Sequence, residues 1–171
     1  MTDTIPPSAE KKPSALRYLH ELPRLIERMH RRFLDVIRLE LGRIGIRDIS
    51  PVQAMMLCNI GAEEMAVRDL IERGYYLGSN ASYNLKQLVE GGYVERQAGE
   101  RDRRSAQLKV SPKGQIVLAK IESLASQWGD PFLKTGDEAS LETTLRTLRQ
   151  MERCWSDALR YASPDEGAGN L

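Results

Sequence analysis

Residues 75–110 read YYLGSNASYNLKQLVEGGYVERQAGERDRRSAQLKV, and this stretch decides the fold. Four apolar residues recur at intervals of three or four positions: Leu77, Ala81, Leu85 and Leu88. This spacing predicts one apolar face of a helix. The glycine pair 91–92 predicts where that helix ends, because glycine tolerates the left-handed conformation of a C-terminal cap. A strand, a basic turn and a second strand follow, which is the order of elements in a winged helix-turn-helix.

The predicted helix carries hydroxyl, amide and cationic side chains away from its apolar face. Hydroxyls and amides can pair with the edges of bases, and Lys86 can neutralise a phosphate or bond to a guanine. We therefore expect seven residues to supply contacts in a DNA groove: Ser79, Asn80, Ser82, Tyr83, Asn84, Lys86 and Gln87. Alternatively, this is an ordinary amphipathic helix with a solvated face, which the pattern taken alone favours.

The hairpin after the helix concentrates positive charge. Residues 94–113 contain six cations and three anions, whereas the whole chain has a net charge of only +1. A basic loop tip suits contact with phosphates or with a minor groove, and three arginines would make it: Arg101, Arg103 and Arg104. Asp102 would hold one of these arginines in position through a charge-assisted hydrogen bond. The alternative is a hairpin tip that is polar only for solubility.

Length and composition predict a folded protein of one domain. The chain has 171 residues, of which 41% are hydrophobic and 29% charged. Its near-neutral charge argues against indiscriminate binding to nucleic acid but permits a local basic site. No apolar run approaches the length of a membrane span, and the N-terminal residues lack the features of a signal peptide. We expect a cytoplasmic protein that does not bind a membrane.

The sequence predicts no catalytic centre, metal site or cofactor. His20 and His30 lie ten residues apart, which is not the i, i+4 spacing of a helical metal pair. Cys58 and Cys154 belong to no CxxC pair, and their apolar helical surroundings favour inert thiols. The sequence has no P-loop, no dinucleotide-binding fingerprint and no nucleophile elbow. We therefore expect that the protein is not an enzyme.

A long helix is predicted before this module, in residues 14–45. Seven apolar residues form its stripe: Leu25, Met29, Phe33, Val36, Ile37, Leu41 and Ile44. Pro23 lies within the pattern, so we expect the helix to kink or restart there. Ser50 and Pro51 fit the N-cap and first position of a second helix. Residues 63–67 fit a short strand that could join the hairpin.

Two further helices are predicted after the hairpin. The first runs from Ser111 to about Gly129, and residues 130–131 (Asp-Pro) are expected to interrupt it. Residues 138–162 carry a second long amphipathic stripe. The simplest use of long terminal helices is to pair with their mates across a two-fold axis. Such a dimer would bind a near-palindromic operator with half-sites about 10 bp apart.

The sequence from residue 88 to residue 114 resembles the signature of MarR-family regulators. Its parts are GGYVER after the helix, RDRRS in the wing and LKVSPKG before the next helix. Tyr93 stands where the family usually has leucine, and Ser111 with Pro112 stands where threonine is usual. Tyr75 and Tyr76 form an extra aromatic pair, which could either reach phosphates or pack in the turn. The run YYLGSNASYN is also similar to LdtR-type members of the family.

The family resemblance implies a mainly α fold. This is a winged helix-turn-helix with long N- and C-terminal dimerisation helices and a small antiparallel β-wing. Residues 1–13 would be a flexible arm, 14–162 a single domain and 163–171 a flexible tail. Within that domain, residues 14–45 and 111–162 would form the dimerisation helices, and residues 50–110 the DNA-binding lobe.

The resemblance also implies a function. The chain would be a homodimeric, sequence-specific transcriptional regulator of a double-stranded DNA operator. LdtR-type members are linked to control of cell-wall L,D-transpeptidase genes, so this chain would control those genes or stress genes. A small aromatic or phenolic ligand would bind between the dimer helices and the winged module, lined by six residues: His20, Met29, Phe33, Met55, Met56 and Cys58. Alternatively, these residues are ordinary core. The competing function is a winged-helix module that docks a protein and does not bind DNA sequence-specifically.

Overall fold

A computed structural model describes residues 12–74, 78–98, 106–134 and 138–162. These ranges contain six helices and three strands. In chain order they are α1 (Lys12–Arg43), α2 (Pro51–Ile60), β1 (Met65–Ala66), α3 (Val67–Gly74), α4 (Gly78–Glu90), β2 (Val94–Ala98), β3 (Ala106–Val110), α5 (Pro112–Lys134) and α6 (Glu138–Ala162). A mainly helical chain with one small antiparallel sheet confirms the predicted winged-helix fold class.

The sheet has the strand order β1-β3-β2, and both of its pairings are antiparallel. In the hairpin, Val94 lies opposite Val110 and Ala98 opposite Ala106. Met65 lies opposite Leu108, so the short segment before α3 adds the third strand that the sequence predicted. Residues 99–105 join β2 to β3 and lie outside the described residues.

Helix α2 begins as the sequence predicted. The Ser50 hydroxyl accepts a hydrogen bond from the Gln53 amide at 3.2 Å, and the Gln53 side chain accepts one from the Ser50 amide at 2.7 Å. Pro51 occupies the first turn, where its missing N–H costs nothing. This reciprocal capping box satisfies two backbone donors that the helix itself leaves unpaired.

Two helices continue through prolines at which the sequence predicted a kink or restart (Pro23) and an interruption (residues 130–131). Helix α1 is continuous from Lys12 to Arg43 with Pro23 inside it, so no new helix begins at that proline. Helix α5 continues to Lys134, and the predicted interruption at residues 130–131 is wrong. One proline removes a single backbone hydrogen bond, which the turns on either side can offset. In α5, Lys134 Nζ also lies 2.9 Å from Asp130 Oδ2, one turn away.

The chain divides into two compact units, residues 1–123 and residues 124–171. The hydrophobic core of the first unit draws on every element from α1 to the first turns of α5. Its most buried members include Ile37, Leu57, Leu88, Tyr93 and Leu108, each with 0% of its surface exposed. The predicted division into dimerisation helices and a DNA-binding lobe stays a prediction.

A buried carboxylate joins α1 to α5 inside the first unit. Glu40 is 4% exposed, and Lys120 Nζ lies 2.7 Å from its Oε2 atom. Arg43 pairs with the other oxygen of the same carboxylate. The hydrogen bond from Lys120 is the main cause that lowers the pKa of Glu40, and it outweighs the opposing effect of burial. Glu40 therefore remains a charged carboxylate inside the fold, paired with the Lys120 ammonium.

Within the described residues, no helix has both the length and the apolar character that crossing a membrane would require.

Candidate nucleic-acid interface

Helix α4 presents one face to the core and the other to solvent. Ala81, Leu85 and Leu88 are 2%, 5% and 0% exposed, as their spacing in the sequence predicted. Leu77, the first residue of that predicted stripe, lies outside the described residues. Packing three apolar side chains against the core fixes which side of the helix points outward.

The outward face of α4 carries the seven predicted contact residues. Six of them are exposed: Ser79, Asn80, Ser82, Tyr83, Lys86 and Gln87. Asn84 is partly buried, and its side-chain amide donates to the backbone oxygen of Asn80 at 3.0 Å. The fold thus brings hydroxyl, amide and ammonium groups together on one helical surface. These are the groups that form hydrogen bonds with base edges and phosphates.

Glu90 was not expected at this surface, and it holds two of the predicted contact residues. Lys86 Nζ lies 3.7 Å from Glu90 Oε1, and Gln87 Nε2 donates to Glu90 Oε2 at 3.2 Å. Exposed pairs of this kind contribute about 0.3–0.5 kcal/mol. A phosphate can therefore displace Glu90 from Lys86 at little cost. Spacings of three and four residues on a predicted helix were the signal that sequence reasoning missed.

The end of α4 is closed as the glycine pair predicted. Gly92 has a φ of 73°, which glycine adopts without strain. The Tyr93 amide donates to the Leu88 oxygen at 2.8 Å, and the Gly92 amide donates to the Val89 oxygen at 3.0 Å. These two bonds form a Schellman motif, so the last carbonyls of α4 are satisfied and the chain turns sharply into β2.

Three charged or polar groups meet beyond this turn. The Tyr93 hydroxyl donates to Asp48 Oδ1 at 2.5 Å, and Lys113 Nζ donates to Asp48 Oδ2 at 3.0 Å. These bonds, from Tyr93 first, lower the pKa of Asp48. Burial, followed by the bond to Asp48, raises the pKa of Tyr93, and the bond to Asp48 raises the pKa of Lys113. Near neutral pH the carboxylate, neutral phenol and ammonium therefore coexist.

A cavity of about 290 Å³ opens beside α4. Its lining comes from α3, α4 and β2: Val67, Ser82, Leu85, Lys86, Val89, Glu90 and Arg96. Apolar side chains and both signs of charge thus share one small space. Arg96 is exposed there, although the sequence identified it only as one cation of the hairpin. None of the six predicted ligand residues lines this cavity.

The six predicted ligand residues divide between core and surface. Met56 is fully buried in the core, and Phe33, Met55 and Cys58 pack against that core. Met29 is 61% exposed and His20 is also exposed, both on α1. Burial raises the pKa of the Cys58 thiol to about 11, which keeps it protonated. The ligand site stays a prediction.

The remaining predicted contacts belong to the basic loop of the hairpin and to the aromatic pair before α4. Arg101, Asp102, Arg103 and Arg104 of the wing lie outside the described residues, as do Tyr75 and Tyr76 before α4. The strands that carry the wing are described, and their register is continuous up to the pair Ala98 and Ala106.

Comparison with known proteins identifies relatives of one kind. The MarR family profile matches residues 47–105. The exopolysaccharide II synthesis transcriptional activator ExpG of Rhizobium meliloti (strain 1021) is 44% identical over 143 residues, covering 82% of this chain and 73% of that protein.

Two solved structures share the fold. A mutant of E. coli MarR complexed with operator DNA is 23% identical, with a TM-score of 0.58 over 77% of this chain and 95% of that chain. Streptococcus pneumoniae FabT in complex with DNA is 20% identical, with a TM-score of 0.60 over 80% of this chain and 99% of that chain.

Proposed function

The chain belongs to the MarR family of transcriptional regulators, and on that premise we propose that it binds a near-palindromic operator as a homodimer, with α4 in the major groove. The observation that carries this proposal is the outward face of α4. Its exposed hydroxyls, amides and Lys86 are the groups that read base edges and phosphates. Two structural relatives were solved with DNA, which supports DNA as the partner. A protein that acts on DNA in this way works in the cytoplasm.

The groove contacts divide into two classes. Asn80 and Gln87 carry amides that can bond bidentately to adenine, so they serve sequence preference. Arg101, Arg103 and Arg104 of the wing, oriented by Asp102, serve affinity through phosphates or a flanking minor groove. Lys86 is 70% exposed and pairs with Glu90 at 3.7 Å, so it can turn to a phosphate or a guanine.

A second copy of the chain covers the apolar surface of the terminal helices. On α1, six large apolar side chains are more than 40% exposed: Leu16, Tyr18, Leu19, Leu25, Met29 and Leu39. On α6, five are exposed to a similar or greater degree: Leu141, Leu145, Trp155, Leu159 and Tyr161. Surfaces of this kind mark association sites. Sedimentation should give twice the 19.3 kDa chain mass, and Leu19→Glu should shift it towards the monomer.

On this proposal, the chain regulates genes whose products build the cell surface. The 44% identical relative is named as an activator of exopolysaccharide II synthesis. The LdtR-type resemblance adds cell-wall L,D-transpeptidase genes or stress genes. Transcript profiles of the parent strain, a deletion strain and the complemented deletion strain would test this. Unchanged transcripts for all of these classes would contradict it.

A small aromatic or phenolic anion releases the operator. In the cavity beside α4, such an anion would compete with DNA directly. Ser82 and Lys86 line this cavity and are also among the predicted DNA contacts. Bound instead by residues such as Met29 and Phe33, it would act from a distance. Titrating the operator complex with 4-hydroxybenzoate tests release. An Arg96→Ala variant that still responds fully would exclude the cavity.

The decisive experiment is fluorescence anisotropy with DNA from upstream of the protein's own gene and with scrambled DNA, across a salt series. We expect tight operator binding with a steep negative salt slope. Arg103→Ala with Arg104→Ala should weaken binding to both DNAs and flatten that slope, whereas Asn80→Ala or Gln87→Ala should chiefly relax sequence preference. Arg38→Ala, an exposed cation on α1, is the control.

The same experiment decides the competing function. Equal binding to both DNAs, or none even at low salt, would favour a winged-helix module that docks a protein.

A further inference from the structure

Three side chains from distant parts of the sequence meet where α4 ends. Asp48 precedes α2, Tyr93 follows α4, and Lys113 lies in the first turn of α5. Each contacts the other two: Asp48 accepts from both, and Lys113 Nζ lies 4.0 Å from the centre of the Tyr93 ring. Lys113 also donates to the Gly91 oxygen at 2.9 Å. We call Asp48, Tyr93 and Lys113 the junction cluster.

We propose that the junction cluster positions the recognition helix, so that it sets operator affinity without contacting DNA. The proposal rests on the proposed function of α4 and assigns to this chain a second group of residues for the same activity. Groove contacts require side chains to be held within about 0.5 Å of their productive geometry, and supporting residues provide that precision.

Tyr93 fixes the end of α4 at three points. Its amide donates to Leu88 of α4, and its carbonyl oxygen accepts from the Ser111 amide at 3.0 Å. Its hydroxyl reaches Asp48. The residue is fully buried, so its ring cannot turn without disturbing the core. A rotation of α4 about its own axis would therefore break bonds to two other segments.

The two charged members contribute geometry more than stability. The side chains of Asp48 and Lys113 are 56% and 47% exposed, and exposed ion pairs stabilise a fold only slightly. Their bonds are nevertheless directional and converge on the α4 turn through Tyr93 and Gly91. Loss of the cluster should thus impair the alignment of α4 while most of the fold remains intact.

Two conservative variants isolate the cluster. Tyr93→Phe keeps the buried ring and its contact with Lys113 but removes the hydroxyl. Asp48→Asn keeps the shape of the side chain but removes its charge. Glu64→Gln is a matched control, because Glu64 pairs with Lys109 at 3.4 Å between segments equally far apart, with side chains 53% and 51% exposed.

Anisotropy of the full chain with operator and scrambled DNA provides the first test. Tyr93→Phe and Asp48→Asn should each weaken operator binding by about fivefold to tenfold, the loss expected for one misaligned base contact. Binding to scrambled DNA and the salt slope should not change, and Glu64→Gln should match the wild type. The double variant should lose little more than either single one, because the two groups act as a unit.

Three results of this test would overturn the proposal. Operator affinity could be unchanged in both variants. Alternatively, both DNAs could lose affinity equally, which is the result expected for general destabilisation. A flatter salt slope in Lys113→Gln would make that lysine a direct phosphate contact instead.

Hydrogen exchange in the protein without DNA provides an independent test. In both variants, amides of residues 85–94 should exchange faster, while those of α2 keep their wild-type protection. Equal acceleration throughout, or none in residues 85–94, would refute the positioning role. If wild-type protein fails to distinguish the two DNAs, the proposed function fails, and this exchange pattern still decides whether the cluster holds α4.

Discussion

Gly114 offers a sharp test of how α5 packs against the turn after α4 and against β3. It lies in the first turns of α5, where the helix passes directly over the backbone of Tyr93. A methyl group added at Gly114 would lie 2.3 Å from the Tyr93 oxygen and 2.6 Å from Val110 Cγ1. The oxygen is backbone and already accepts from Ser111, so it cannot move aside without losing that bond.

Whether Gly114→Ala raises or lowers the free energy of unfolding depends on two opposing effects. Alanine gains about 1 kcal/mol over glycine inside a helix. Overpacking a well-filled site costs about 1–3 kcal/mol, and loss of one backbone hydrogen bond costs about 1 kcal/mol more. The clash therefore dominates, and we expect a net destabilisation of about 1–3 kcal/mol. At about 2 kcal/mol, the Tm of a chain of this length falls by about 4–8 °C.

Thermal unfolding at one fixed protein concentration measures this effect, since the proposed dimerisation would make the Tm depend on concentration. Gly42→Ala is the matched control, because Gly42 lies in α1 and has no atom within 4 Å of the added methyl. That variant should be unchanged or stabilised by up to about 1 kcal/mol. A Gly114→Ala protein at least as stable as the wild type would refute the reasoning.

Three further outcomes follow from named contacts. The pKa of Glu40 is lowered from its ordinary value of 4.5, so its contribution to stability is present above that pH and lost as the pH falls below it. Glu40→Gln should therefore be less stable at pH 7, and urea unfolding should show the gap to wild type narrowing below pH 4.5; a constant gap would contradict the role of Lys120. Ser50→Ala removes a capping box and should cost about 1 kcal/mol in the same assay. At pH 8 a thiol reagent should modify exposed Cys154 well before Cys58, whose pKa is about 11, and only Cys154→Ser should abolish the fast phase.

Local pattern was sufficient to predict helix α4 and its buried face. The spacing of Ala81, Leu85 and Leu88 set its buried face, and this in turn set which polar residues point outward. Gly92 marked its end, because a positive φ is a local requirement that the residue type reveals. Both signals lie within a few residues of the structure they specify, so a single sequence contains them.

The prolines show where local rules fail. Pro23 and Pro131 each remove a helix hydrogen bond, and a rule based on that loss predicted a kink or restart at Pro23 and an interruption at residues 130–131. Both helices continue past the proline, so its lost hydrogen bond does not by itself decide where the helix ends. The cost of one proline, about 3 kcal/mol, is local, whereas the length of a helix depends on everything that stabilises it.

The predicted ligand site depended on residue type and approximate position. Met55 and Met56 are neighbours in sequence and point about 100° apart on a helix. Met56 accordingly lies fully in the core and Met55 only partly. The cavity beside α4, which the sequence did not predict, combines α3, α4 and β2, and Arg96 joins it only because the hairpin folds back beside the helix. No periodicity in the sequence encodes that approach.

The chemistry of the recognition face and the geometry that aims it are thus encoded differently. Residues 79–87 contain the groups that can read DNA, and these could be transplanted as one short segment. Their orientation depends on Asp48 and Lys113, which reach the end of α4 from other segments through Tyr93. A family member with leucine at that position has no hydroxyl to make this bond. Grafting residues 79–87 into such a protein should therefore transfer the contact groups without their alignment. Adding the tyrosine together with its aspartate should restore the preference for operator DNA over scrambled DNA.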